Sequence, residues 1–402
     1  MKLGEIALQL QSNRVIYLLI NVAWAVYQYL LRCTFLLFRV CNIQKNKIVF
    51  GNINGRGFSD HPKYILQELN KSGHQYDLVW LFAGDDKSSA ELPENVRTVK
   101  PGSLKAAYEL STAKIWVDNA EKRLSVIKRK GQYFLETWHG FGPKNAVDND
   151  SIAGWRVRTH LKHNAKMIDA YVSNNDLLTR IYHTDFFYPG EVLQVGFPRN
   201  DILVSKDKTT LKNKVFGKFV LPTDSHIILY APTYRPNTDM SLYNLNYTEI
   251  LTSLEKKFGG KWVFLLRLHP VIARLSAEVI KNNPNVIDAS AYLDMQELLA
   301  VSEVLITDYS SCMFDFAVTK GICLLYHPDE REYENERGFC IQPTDLPFPR
   351  CQNTAGLIGL IENLDFEMYE KSVSSFFDNH NLKENGTASE KIVQWLTEKI
   401  NS

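Results

Sequence analysis

From Lys47 onward, short apolar runs of strand type alternate with segments that are apolar at helical spacing. This alternation constrains the fold more than any other feature of the chain. Parallel strands cannot be joined by a tight turn; they need a crossover, and a helix is the usual one. Strands are predicted at Lys47–Phe50, Asp77–Phe82, Val96–Val99, Lys114–Val117, Gly131–Glu136, Ala170–Ser173 and Val192–Val195, with helices near Lys63–Lys71, Ser103–Ser111 and Asn174–Tyr182. A polar, lysine-rich stretch, Val204–Leu221, interrupts the pattern. It restarts with strands at Ile227–Tyr230, Trp262–Arg267, Val286–Asp288, Val304–Thr307 and Ile322–Tyr326, and helices at Tyr247–Phe258, Met295–Val301 and Met313–Thr319. At 402 residues, two domains are expected. The pattern reads as α/β, with two Rossmann-like doubly wound halves at 47–205 and 206–402 and a ligand cleft outside the carboxyl ends of their strands.

Residues 1–46 stand apart. Val15 to Leu31 is 17 residues without a charge, bounded by Arg14 and Arg32. On a helix, Arg14, Asn21, Gln28, Arg32 and Arg39 share one narrow stripe, and the remainder is apolar. A secretory signal does not fit, because the apolar part is too long and no small-residue cleavage site follows. A run of 17 residues sits at the lower limit for spanning a bilayer. The polar stripe is best explained by an amphipathic helix lying in the membrane interface, apolar side down and arginines toward the headgroups. A helix packed on the protein core is the alternative.

Composition narrows the chemistry. A net charge of +1 carries no nucleic-acid signature. Six scattered cysteines without a CxxC pair point to neither a zinc site nor a disulfide framework, which fits a reducing compartment. The chain offers instead five polar clusters, each at a strand end. They are Trp138-His139-Gly140 with Lys144, Gly196-Phe197-Pro198-Arg199-Asn200-Asp201, Ala231-Pro232-Thr233-Tyr234-Arg235, Arg267-Leu268-His269-Pro270, and Thr307-Asp308-Tyr309-Ser310-Ser311. The last passes from a strand into a helix. Hydroxyls and backbone N–H groups at such a turn face the positive end of the helix dipole and suit phosphate, although a plain capped turn has the same composition. Singly, the others are equally ordinary: a half-buried histidine, a proline that stops a strand, arginines in weak surface pairs. Together they bring two histidines, several cations and a helix N-terminus to one cleft, an inventory for transferring a phosphate-bearing group. Carboxylates are not clustered as a magnesium site requires, so neither metal nor cofactor is expected.

The order of these motifs resembles a known family. WHG with Lys144, GFPRND, Leu229–Arg235 (LYAPTYR), Leu266–Pro270 (LRLHP), Leu305–Ala317 (LITDYSSCMFDFA) and Tyr333-x-x-x-Arg337-Gly338-Phe339 look like the CDP-glycerol glycerophosphotransferase family of teichoic-acid and capsule synthesis. Asn52–Tyr64 is similar to that family's N-terminal glycine turn, and the resemblance covers roughly residues 47–345. It implies a GT-B-like fold with an acceptor domain followed by a CDP-donor domain, held peripherally on the cytoplasmic face of the cell membrane. Its donor would be CDP-glycerol, or CDP-ribitol, and its acceptor a polyprenyl-linked saccharide. The acceptor hydroxyl would attack the phosphorus nearest glycerol, and CMP would leave.

Residue by residue, the resemblance gives His139 as general base, a role that an ordinary imidazole pKa of about 6.5 suits. His269 is placed at the donor diphosphate, with Arg199 and Arg267 as cations near the phosphates. Thr307, Asp308, Ser310 and Ser311 match the donor-binding segment, and Pro232 and Thr233 the loop beside the cytosine. Asp329 and Glu332 stand where acids meet ribose or glycerol hydroxyls. Trp138, Gly140 and Lys144 fall on the acceptor side. Asn145-Ala146-Val147 departs from the family, which often has a glycine there. The chain's length leans toward priming or single-unit addition. Rival readings are a glycosyltransferase using a nucleotide sugar and a membrane-bound saccharide-binding protein that has kept the fold; the presence of both histidines speaks against the latter.

Overall fold

The computed structural model of the chain describes residues 14–84, 91–140, 142–143, 154–235, 240–243, 245–281 and 283–402. Seven strands, β1 (Gln44–Gly51), β2 (Asp77–Leu81), β3 (Val96–Val99), β4 (Ala113–Asp118), β5 (Tyr133–Glu136), β6 (Ala170–Ser173) and β7 (Glu191–Gln194), form one sheet in the order β3-β2-β1-β4-β5-β6-β7. Six more, β8 (Ser225–Tyr230), β9 (Lys261–Leu266), β10 (Val286–Asp288), β11 (Val304–Thr307), β12 (Ile322–Tyr326) and β13 (Arg350–Cys351), form a second in the order β10-β9-β8-β11-β12-β13. Every pairing is parallel. In each sheet the chain starts at the centre, runs to one edge, then returns past its start to the other. The order therefore reverses once per sheet, between β1 and β4 and between β8 and β11, and those are the points where ligands sit in doubly wound sheets.

Helices cover both faces, which is why β4 and β12 are buried along their whole length. The stretch read as a polar boundary is in fact a helix, Thr209–Phe219. Only Val215 and Phe216 are buried in it, so its apolar stripe is too narrow to show above the lysines. Helices Gly154–Ala165 and Glu330–Arg337 and the two-residue strand β13 also lie outside the sequence expectation.

The two lobes are tied together. Lys63, on the helix Asp60–Lys71 of the first lobe, donates to Asp294 at 2.6 Å and Glu297 at 2.7 Å in the second, and Tyr64 adds a bond to Asp294 at 2.9 Å. All four side chains are buried. The chain also doubles back: the helix Ala388–Asn401 packs on the helix Asp60–Lys71 and the edges of β1 and β4. It buries Ile392, Trp395 and Leu396 there, and Asp201 accepts from the N–H groups of Ala388 and Ser389 at its start. Residues 388–401 thus sit with the first lobe although they follow the second in sequence.

The N-terminal helix runs Arg14–Leu37, and among the described residues no helix is long and apolar enough to cross a membrane. Its orientation corrects the sequence reading. The polar stripe faces the protein, not headgroups: Asn21 and Gln28 are each 2% exposed. Arg32 donates from Nε to the Leu124 carbonyl at 2.7 Å and lies 3.2 Å from Nδ1 of His163. Polar groups taken from water need partners; the first lobe supplies them to Arg32, whereas Gln28 Oε1 finds none among the described residues. The outward face is apolar, with Leu19, Leu30 and Leu37 exposed by 63%, 65% and 71%.

Candidate active site

A cleft of about 640 Å³ lies between the lobes, at the reversal points of both sheets. The turn after β1 contributes Asn52, Arg56 and Ser59, and the turn after β5 contributes His139. Pro232, Thr233 and Tyr234 follow β8, Arg267 and His269 follow β9, and Ser310 and Ser311 follow β11. Arg199 and Arg337 complete its cationic lining.

His139 stands in a strained turn. Trp138 before it has φ +56° and Gly140 after it φ +125°. A bulky residue in the left-handed region persists only where its surroundings hold it. Here the Trp138 N–H donates to Glu136 Oε1 at 2.9 Å, and its ring meets Phe186 edge-on at 4.7 Å. Burial and the nearby Asp118 push the Glu136 carboxyl well above its ordinary range. Gly140 lets the two lobes touch. A Cβ there would lie 2.6 Å from Arg199 Nη2 and 2.7 Å from Ser311 Oγ. The histidine loop and the serine turn, six strands apart in sequence, are therefore in direct apposition.

The two histidines hold their protons on different nitrogens. His139 Nδ1 lies 3.0 Å from the Asn119 carbonyl, which can only accept, so Nδ1 carries the proton and Nε2 the lone pair. His269 Nδ1 accepts from the Val271 N–H at 3.3 Å, so its proton is on Nε2. The two rings are thus held through Nδ1 in opposite senses, one donating and the other accepting. Asn119 is itself fixed: its amide donates to Asn52 Oδ1 and Asp60 Oδ2, both at 2.9 Å, and its Oδ1 accepts from the Ile53 N–H at 2.8 Å.

Arg199 lies beneath this loop as a three-way tie. Nη1 donates to Asp60 Oδ1 and to the His139 carbonyl, each at 3.0 Å, and Nη2 donates to Asp315 Oδ2 at 2.7 Å. Burial raises the Asp60 carboxyl, but Arg199 and His61 more than offset this and hold it at about 2. Burial raises Asp315 despite Arg199. Arg199 lines the cleft floor, yet its charge is already matched by two carboxylates. Arg267 differs. Among the described residues no carboxylate pairs with it: its Nη2 reaches the Tyr292 carbonyl at 3.2 Å, and its buried Nε, like that of Arg199, has no hydrogen-bond partner. Burial pulls its pKa down. That is a guanidinium at the cleft without a carboxylate partner, and an anion bound there would supply the counter-charge.

The acids expected at the donor are turned elsewhere. Arg235, buried, pairs with Asp329 through Nε at 2.6 Å and with Asp308 at 2.9 Å. Asp308 also accepts from the Thr233 N–H at 2.8 Å and the Tyr309 N–H at 2.7 Å. Thr307 is buried and bonds the Ala231 carbonyl at 2.7 Å. These residues pin the loops after β8 and β11 together instead of lining the cleft. Glu332 is exposed on the helix Glu330–Arg337, away from the lining, and Lys144 lies outside the described residues. His139, His269, Arg199, Arg267, Pro232, Thr233, Ser310 and Ser311 do converge. Sequence reasoning missed Asn119, Asp60, Asp315 and Arg235 as the parts that hold them. Asn119 and Arg235 stood at strand ends; Asp60 and Asp315 lay inside the quoted stretches Asn52–Tyr64 and Leu305–Ala317, with nothing to mark either as a partner of Arg199. Among the described residues, no three His, Cys, Asp or Glu are grouped to hold a metal ion.

Comparison with known proteins agrees with this architecture. The profile of the CDP-Glycerol:Poly(glycerophosphate) glycerophosphotransferase family matches residues 33–398. A teichoic acid poly(glycerol phosphate) polymerase of Bacillus spizizenii is 31% identical over 385 residues, 91% of this chain and 96% of its own. The corresponding polymerase of Staphylococcus epidermidis is 31% identical over 87% of this chain, which spans half of that protein's length. A teichoic acid poly(ribitol-phosphate) polymerase of Bacillus spizizenii is 26% identical over 90% of this chain and 57% of its own. Among solved structures, the wall teichoic acid polymerase TagF superposes with a TM-score of 0.81 at 29% identity, covering 97% of this chain and 98% of that one. A variant of it soaked with CDPG gives a TM-score of 0.80 at 30% identity, with the same coverage. From the profile match and the shared architecture, the chain belongs to the CDP-glycerol:poly(glycerophosphate) glycerophosphotransferase family.

Proposed function

We propose that the protein transfers glycerol phosphate from CDP-glycerol to a hydroxyl of a lipid-linked saccharide at the cytoplasmic face of the membrane, releasing CMP. The observation that carries this reading is the convergence on one cleft of His139, held at Nδ1 by the Asn119 carbonyl, His269, held at Nδ1 by the Val271 N–H, and Arg267, which has no carboxylate partner among the described residues. His139 Nε2 takes the proton of the attacking hydroxyl. The acceptor oxygen bonds to the phosphorus nearest glycerol as the bond from that phosphorus to the CMP oxygen breaks, and the electron pair leaves with CMP. His269 Nε2–H, Arg267 and the serine turn stabilise the charge that gathers on the leaving phosphate. Most of the catalysis is positioning, base action and electrostatics.

Ribitol phosphate is the second reading, favoured by the likeness to a protein named as a ribitol-phosphate polymerase. Length does not separate single addition from polymerisation, since a relative covered over 96% of its length is itself named a polymerase. The test is incubation with CDP-glycerol, CDP-ribitol or UDP-sugars together with a lipid-linked saccharide, followed by assay of CMP and UDP. CMP release with CDP-glycerol is expected; no release from any donor by folded protein would overturn the transferase reading.

Membrane attachment is part of the proposal and rests on the outward apolar face of the helix Arg14–Leu37. Deleting the helix would also strip Phe35 from the core, so substitution is the cleaner probe. Leu19→Glu with Leu30→Glu is expected to move the protein to the soluble fraction at unchanged thermal stability. Retention on membranes would assign attachment to another surface.

A further inference from the structure

A second cavity, of about 230 Å³, shares the turn after β1 with the catalytic cleft: Gly51, Asn54 and Gly55 line the cavity, whereas Asn52, Ile53 and Arg56 line the cleft. One wall is apolar: Tyr27, Leu31 and Phe35, at helical spacing on the N-terminal helix, face Leu110 of the helix Leu104–Thr112. The other wall is formed by the carboxyl ends of β1 and β4 and the residues that follow. We infer that this cavity holds an aliphatic chain of the lipid-linked acceptor, an inference that rests on the transferase reading above.

Charge balance argues for a hydrocarbon occupant. Asp118 and Lys122 on the polar wall are paired with each other. Burial raises Glu121 beside them to about 7, which weakens its charge at neutral pH. Such a cavity neither draws a nucleotide nor repels an apolar chain. The rim adds continuity. Tyr27 and Leu104, exposed by 56% and 67%, edge the opening, and Tyr27 adjoins the outward stripe that includes Val26 and Leu30. Exposed apolar side chains of the helix therefore run up to the cavity's rim. The exposed guanidinium of Arg123 at the rim is placed for an anionic head. Position argues the same way. Asp118 and Ala120 line the cavity, and Asn119 between them holds His139 through its carbonyl. The occupant lies directly behind the support of the base, on the acceptor's lobe.

The test has two arms. In the first, full-length protein is irradiated with a diazirine-bearing polyprenyl phosphate or with a diazirine-bearing phosphatidylglycerol, and the adducts are mapped. Adducts from the polyprenyl probe at Tyr27, Leu31 or Leu110 are expected. Their appearance with the phospholipid alone, or labelling only elsewhere, would overturn the inference. In the second, Leu31→Trp and, separately, Thr34→Phe fill the cavity from the helix side. Each should raise KM for the lipid-linked acceptor at least about tenfold, the equivalent of excluding about two methylenes. KM for the CDP donor and membrane partition should be unchanged. An unaltered acceptor KM in both folded variants would also overturn it. Labelling needs no turnover, so a labelled cavity in a protein that releases no nucleotide would sink the transferase reading alone.

Discussion

His139→Ala should lower kcat by about 10²–10⁴-fold, the usual worth of a positioned general base, while binding of the CDP donor stays within about twofold. The expectation follows from the tautomer. With Nδ1 donating to the Asn119 carbonyl at 3.0 Å, Nε2 is the ring nitrogen left to take the proton of the acceptor hydroxyl. Alanine removes that lone pair and leaves His269, Arg267 and the serine turn in place at the donor. Single-turnover kinetics and calorimetric titration with CDP-glycerol separate the two effects. A variant that loses donor binding in proportion to turnover would place His139 at the donor instead of the acceptor. A variant of unchanged kcat would remove it from the chemistry.

The second large effect is structural. Arg199→Ala is expected to destabilise the protein by about 3–5 kcal/mol, because it leaves buried carboxylates without their counter-charge. Asp60 and Asp315 both lose a partner, and the His139 carbonyl loses the bond at 3.0 Å that steadies the loop. Lysine should rescue little, since a single ammonium does not reproduce a planar fork with three acceptors in different directions. The pH dependence carries a further mark. Asp60, held at about 2 against an ordinary 3.8, adds stability that is complete above about pH 4 and is lost as pH falls toward 2. In Arg199→Ala that acid-side slope should shrink. Urea midpoints measured from pH 3 to 7 give both results. A midpoint equal to wild type at pH 7 would show that the tie between lobes contributes nothing to stability.

Much of the fold was legible because buried parallel strands read as unbroken apolar runs. β3, β6, β10, β11 and β12 fall where the sequence placed them, residue for residue. The helix Thr209–Phe219 was not legible, since two buried side chains make no stripe, and β13 is too short to have a period. At the site, the residues that line the cleft stood out as polar clusters at strand ends. What each arginine meets did not. Arg199, Arg235 and Arg267 carry the same side chain at similar strand ends, yet the first two are matched by carboxylates and the third, among the described residues, meets only backbone carbonyls. That difference is set by residues 60, 308, 315 and 329, brought in from other turns. The N-terminal helix shows the same limit: its polar stripe was evident, but whether the stripe faced lipid or protein depended on Leu124 and His163, about a hundred residues downstream.

The doubling back of the helix Ala388–Asn401 onto β1 and β4 also orders events during synthesis. The first lobe emerges early, but the surface that Ile392, Trp395 and Leu396 cover remains open until residue 401 has left the ribosome. At about 5–20 residues per second, that apolar patch on the first sheet waits roughly 10–40 s for its cover after the linking helix Thr209–Phe219 has been made. The lobe that is translated first is therefore the one that is finished last, and in that interval it presents a patch that chaperones recognise.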